Sequence, residues 1–108
     1  MLFRSRLGYV TRVAFTDPDE LSISIALWPG VPRSVATLPI SIAFTEELPV
    51  PGLMLGVTDA APASLIVPPR TFNPGRLLRS MDTGPERRFR LTKLLQRGGD
   101  FERVAFEE

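Results

Sequence analysis

The chain has 108 residues, of which 44% are hydrophobic and 23% charged, and its formal net charge is +1. These values are typical of one soluble globular domain, so we expect residues 1–108 to form a single β-rich domain without long disordered segments. The absence of Cys and His excludes disulfides, thiol nucleophiles, imidazole bases and the usual zinc or copper sites, and we therefore expect no enzyme, no cofactor and no metal site.

The small net charge conceals a strong segregation of charge along the chain. Residues 1–12 carry a local charge of +3, residues 13–69 of −5 and residues 70–103 of +5, and two C-terminal glutamates add −2. Such asymmetry predicts a surface with an acidic end and a basic end, which bears on binding partners rather than on the fold.

Residues 2–16 are the clearest strand in the sequence, because apolar and basic residues alternate there with a period of two. One parity holds Phe3, Leu7, Tyr9, Val13 and Phe15, and the other holds Arg4, Arg6 and Arg12. The alternation predicts that the first set is buried. A flat strand of this length would be too long for so small a domain, so we expect a bulge or bend at Gly8.

Further strands follow in the middle of the chain. Leu21–Trp28 and Ser34–Phe44 alternate in the same way, and together with the first strand they suggest an antiparallel meander. Two shorter apolar strands are predicted at Leu53–Val57 and Leu65–Val67. Nine of the eleven prolines fall between residues 29 and 74, which excludes a long helix there.

The last third of the sequence is compatible with two local structures, a helix or a hairpin. Good helix formers with apolar Leu91, Leu94 and Leu95 predict one short helix over about residues 85–97, which Gly98 and Gly99 would end. The alternative is a hairpin of strands 89–97 and 101–106. The fold class is thus mainly β, a small antiparallel barrel or sandwich of five to seven strands, with one short helix in the C-terminal third.

An arginine-rich segment is the first candidate binding surface. It contains Arg76, Arg79, Arg87, Arg88 and Arg90, and guanidinium groups suit an anion or an acidic partner. An ordinary solvated surface explains the same residues, and few aromatic side chains lie nearby for stacking on bases.

Trp28, Pro29 and Val31 form the second candidate, a protein interface. By parity, Trp28 leaves the core face of its strand, and the stiff apolar turn after it would dock at low entropic cost. Packing of the indole in the core is the alternative.

The sequence therefore favours a non-catalytic interaction or structural module, a small subunit of a larger assembly that binds through proline-rich apolar loops and an arginine-rich end. A protein partner or a homo-oligomer is expected. The alternative is a module that binds nucleic acid or a nucleotide through the arginines. Charge near the N-terminus and the lack of a span-length apolar stretch predict a cytoplasmic protein with no membrane partner.

Overall fold

The structure, a computed structural model, describes residues 6–18, 20–40, 48–81 and 84–108, and within these ranges it contains eight β-strands and no helix. Accordingly, these ranges hold no helix long and apolar enough to cross a membrane. The strands are β1 (Gly8–Asp17), β2 (Glu20–Leu27), β3 (Pro32–Pro39), β4 (Val50–Leu55), β5 (Ser64–Val67), β6 (Leu77–Ser80), β7 (Arg88–Arg97) and β8 (Glu102–Glu107). Residues 2–5 and 41–44 of the predicted strands lie outside the described ranges.

Six of the strands close into an antiparallel barrel in the order β3-β4-β5-β8-β7-β6, with β3 paired to β6. The predicted class, a small mainly β barrel of antiparallel strands, is confirmed. Closure leaves the barrel without an exposed sheet edge, because every barrel strand has two hydrogen-bonded neighbours.

The barrel interior is filled by alternate side chains of its strands. The buried cluster consists of Met54, Leu65, Val67, Leu78, Phe89, Leu91 and Val104. The rings of Phe89 and Phe106 meet edge to face, with centroids 5.2 Å apart. This is the core that the alternation of the strand sequences requires.

The helix predicted over residues 85–97 is wrong, and the alternative hairpin is correct: β7 and β8 pair across a turn at Gly98 and Gly99. The sequence of β7 resembled a helix because the strand contains two register shifts, one between Leu91 and Lys93 and one between Leu94 and Gln96. Each shift adds one residue to β7, so inward positions recur every three residues instead of every two. That spacing imitates the apolar stripe of a helix.

The remaining strands, β1 and β2, form a separate two-stranded sheet. The base of this hairpin packs on the outside of the barrel, where Trp28, Leu55 and Ile66 form a second buried cluster with partly buried Leu7 and Tyr9 against it. The backbone N–H of Trp28 donates to the carbonyl of Leu7 over 2.9 Å. Within the described ranges, the hairpin is anchored to the barrel at its base only.

The predicted burial of the odd-numbered residues of the first strand is wrong beyond Tyr9. Leu7 and Tyr9 are half-buried, but Val13 and Phe15 are 59% and 77% exposed. A register shift between Val10 and Arg12 makes Thr11 the extra residue of a bulge, so the odd-numbered side chains after it lie on the other side of the strand from Tyr9. The sequence had predicted this bulge at Gly8. Phe3 lies outside the described residues.

Candidate functional site

One side of the projecting β1–β2 hairpin is an exposed apolar surface. Cross-strand pairs Val10 with Ile25, Val13 with Ile23, and Phe15 with Leu21 place large apolar side chains side by side there. We name this surface the hairpin face; its members, each more than half exposed, are Val10, Val13, Phe15, Leu21, Ile23, Ile25 and Leu27. The opposite side carries Arg12, Ala14, Ser22 and Ser24.

The hairpin face is contiguous because of two local features. The extra residue at Thr11 brings Val10 and Val13 onto the same side of the ribbon. A Cβ at Gly8 would lie 3.0 Å from side-chain carbons of both Ile25 and Leu27, so the glycine leaves room for them. The sequence pattern had marked these strands as amphipathic, but it could not show that their apolar side has no partner among the residues that the structure describes.

The predicted interface residues do not share one environment. Trp28 is 4% exposed, so its expected exposure is wrong. Its ring stacks on Tyr9 with centroids 4.8 Å apart and meets Phe101 edge to face at 5.2 Å. Val31 is 49% exposed and Pro29 is half-buried. The indole therefore anchors the hairpin, and only the turn after it is open to a partner.

Two open grooves are lined by the proline-rich loops. The first lies beside Pro29 and Val31 and includes Val57, which is 76% exposed, with Arg6 and Asp59 at its margin. The second groove lies between the segment that leads into β4 and the loop after β5; it is lined by Pro39, Leu48, Pro49, Val50, Pro51, Pro68, Arg70, Thr71 and Arg76. Both therefore combine apolar surface with an arginine.

Pairing of β6 with β7 brings three of the five predicted arginines together. Arg79 stands directly opposite Arg88, and Arg90 follows two residues along β7 on the same outer side, opposite Leu77. We name Arg79, Arg88 and Arg90 the arginine cluster; all three are exposed. Arg88 has a Glu86 carboxylate oxygen at 3.5 Å, while Arg79 and Arg90 have no ion pair with any residue in the described ranges.

The other two predicted arginines are used within the domain. Arg87 donates from Nε to a carboxylate oxygen of Glu108 over 2.6 Å and lies over the ring of Phe89. This hydrogen bond lowers the pKa of Glu108. Arg76 donates to the carbonyl of Thr71 over 2.7 Å. These two side chains therefore stabilise local structure beside the cluster.

One buried carboxylate, Glu102, was not identified from the sequence as a special residue. It is 1% exposed, and its Oε1 accepts the backbone N–H groups of Thr71 and Phe72 at 3.0 and 2.9 Å. Its Oε2 lies 3.1 Å from Nη2 of Arg97. Burial alone would raise the pKa of Glu102, but the bonds from Phe72, Arg97 and Thr71 together lower it. Every oxygen has a partner, so this carboxylate holds the loop after β5 in place.

Among residues 6–18, 20–40, 48–81 and 84–108, no group of three or more acids gathers as metal ligands would. The observed features define a small closed β-barrel domain that carries a projecting hairpin and surface-exposed binding candidates.

The model of the FimW C-terminal beta-barrel domain family matches residues 43–108, more than half of the chain. The chain belongs to this family. It is not a known enzyme family. The matched segment contains β4 to β8, whereas the closing strand β3 and the β1–β2 hairpin precede it. Searches of curated proteins and of solved structures gave no match.

Proposed function

We propose that this domain is a non-catalytic interaction module, one subunit of a larger protein assembly, which binds a protein partner through exposed apolar surfaces. The hairpin face carries this proposal, because it places seven large apolar side chains in solvent on one side of a ribbon. Contiguous apolar surfaces of this kind mark interaction sites, since leaving them in water opposes solubility.

The loops near Pro29 and Val31 support the same function. Their groove adds exposed Val57 to the apolar area, and proline limits the backbone entropy that binding would remove. Because Trp28 is buried, the contact with a partner is assigned to Val31 and Val57 rather than to the indole.

Capture of partners from the native host tests the function. A tagged wild-type chain is expected to retain a stoichiometric protein partner at about 0.5 M salt, because salt screens charge interactions but does not weaken apolar contacts. The partner is either a different protein or a second copy of this chain. Phe15→Asp on the hairpin face is expected to abolish this retention. Ser22→Asp, on the other side of the hairpin, is the matched control and is expected to retain the partner. Equal retention by both variants would contradict the proposal.

A second candidate function is supported by the pairing of Arg79 with Arg88. Like charges directly opposite one another destabilise a sheet, and an anion between them would remove that repulsion. We infer from this pair a site for phosphate groups of nucleic acid or a nucleotide, with Arg90 beside it and Arg76 and Arg87 nearby.

Fluorescence anisotropy with a labelled single-stranded oligonucleotide tests this second function. Binding is expected to weaken steeply between about 0.05 and 0.2 M salt, because counterions are released when phosphates are neutralised. Arg79→Gln combined with Arg88→Gln is expected to make the slope of the logarithm of the association constant against the logarithm of salt concentration less steep by about 1.4. Arg12→Gln on the hairpin is the control and is expected to leave the slope unchanged. No binding at low salt would exclude the function for this probe.

A further inference from the structure

We propose that the hairpin face is a self-association surface, on which two copies of this chain pack face to face about a twofold axis. This inference rests on the proposed interaction function and names the occupant of its main surface. The two proline-lined grooves, by comparison, are interrupted by arginine and polar side chains.

The area of the hairpin face is appropriate for a second copy. Six aliphatic side chains and one phenylalanine, each exposed by about half or more, present roughly 500 Å² of apolar surface. Two copies would together bury roughly 1,000 Å², which reaches the lower limit of a specific interface. Further contacts from the flanking polar residues would add to this value.

The chemistry of the face is self-complementary. It contains no charged side chain, and the apolar side of a two-stranded ribbon can stack on that of another ribbon at about 10 Å, as sheets do in a sandwich. A twofold axis places the same patch on both copies, so no second kind of surface is needed. The polar side with Arg12 would remain in water.

Charges at the two ends of the hairpin select the antiparallel arrangement. Asp17 and Glu20 pair at the exposed tip, and Arg6 lies at the base, where it donates to the carbonyl of Trp28 over 3.0 Å. Parallel stacking would bring four carboxylates together at the tips. Antiparallel stacking places the acidic tip of each copy near the basic base of its neighbour.

Sedimentation equilibrium of the full chain tests the proposal. We expect a reversible dimer for the wild type. Ile23→Asp, in the middle of the hairpin face, is expected to raise the dissociation constant by about thirtyfold or more. Ser24→Asp, one residue away on the polar side, is expected to leave it unchanged, and circular dichroism checks that both variants keep the barrel.

Single-cysteine variants test the arrangement, because the natural chain contains no Cys. A bismaleimide spanning about 10 Å is expected to join two copies of Val13→Cys at the centre of the stack. Phe15→Cys is expected to join Leu27→Cys in a mixture but not itself. Self-joining of Phe15→Cys would overturn the antiparallel arrangement.

A wild-type monomer at every concentration would overturn self-association while leaving the partner-capture test of the proposed function open. Binding of such a monomer to phosphatidylglycerol vesicles, lost in Ile23→Asp, would assign the hairpin face to a lipid surface instead. Loss of partner capture in Phe15→Asp without any dimer would assign it to a different protein.

Discussion

The indole Nε1 of Trp28 donates a 3.0 Å hydrogen bond to Oε1 of Gln96, a residue 68 positions further along the chain. This bond connects the base of the hairpin to β7. Together with the stacking of Trp28 on Tyr9 and its contact with Phe101, it fixes the hairpin to the barrel wall. Trp28 is therefore a central contact of the cluster that sets the direction in which the hairpin face points.

Trp28→Ala is expected to lower the free energy of unfolding by about 3–5 kcal/mol, because it removes a buried aromatic ring and uncovers Leu55 and Ile66. Urea unfolding followed by far-ultraviolet circular dichroism measures the change. Leu27→Ala, at the neighbouring exposed position, is the control and is expected to cost less than about 1 kcal/mol. Equal costs for the two variants would contradict the role of Trp28 as anchor.

Gly98→Ala is expected to destabilise the domain by about 1–3 kcal/mol, because a Cβ there would collide with the ring of Phe101 and displace it from Trp28. Gly99→Ala is the matched control, since a Cβ at Gly99 meets no atom within 4 Å. Thermal unfolding compares the two variants. The single tryptophan of the chain also reports ring displacement by its fluorescence, and an unchanged emission spectrum in Gly98→Ala would count against it.

Glu102→Gln is expected to reduce stability at neutral pH by about 2 kcal/mol, because a charged acceptor of two backbone N–H groups becomes a neutral amide. The pKa of Glu102 is lowered in the folded chain, so its contribution is present above the ordinary glutamate pKa of 4.5 and is lost as the pH falls through the folded value. The difference between wild type and variant should therefore shrink in acid.

Chemical unfolding at several pH values measures this convergence. The conservative control is Glu107→Gln, an exposed carboxylate on the same strand. Its effect on stability is expected to be small at every pH. A difference between wild type and Glu102→Gln that grows in acid would show that the carboxylate is stabilised in its protonated form.

Arg79→Glu is expected to stabilise the barrel by about 0.2–1 kcal/mol at low salt, because a like-charge pair with Arg88 becomes an opposite-charge pair. The gain is expected to decrease as salt is added, since both side chains are exposed. Arg33→Glu is the control, because Arg33 stands opposite uncharged Met54. Thermal unfolding of wild type, Arg79→Glu and Arg33→Glu in low and high salt measures these effects. A loss of stability in Arg79→Glu would show that Arg79 and Arg88 do not repel each other.

The fold class was predictable because alternation in the barrel strands follows the period of a sheet. Phe89 and Leu91 of β7 share a parity and both point inward. Beyond them the pattern failed at register shifts, which no residue type in the sequence marks: Thr11 in β1 and Thr92 in β7 are ordinary strand formers. A bulge moves every later side chain to the other side of its strand. Val13 and Phe15 are exposed because both sides of the ribbon beyond Tyr9 lack a covering strand among the described residues.

The site was predictable only in part. Arg79, Arg88 and Arg90 were identified by composition, but strand pairing, rather than the helix expected over residues 85–97, brings them together. The exposure predicted for Trp28 was wrong because β2 ends at Leu27. The alternation of a strand does not determine the direction of a side chain that follows it. The hairpin face is exposed because no strand in the described part of the chain covers it, and a periodic pattern does not encode such an absence.

Closure of the barrel also determines the order of events in refolding. The pairs β3 with β6 and β5 with β8 join segments far apart along the chain, whereas β1 and β2 are neighbours joined by a short turn. Local hairpins form within microseconds, but topologies rich in distant pairings take milliseconds to seconds. The newly formed hairpin thus meets other chains while the barrel strands still have open edges, so the yield of refolding falls as protein concentration rises.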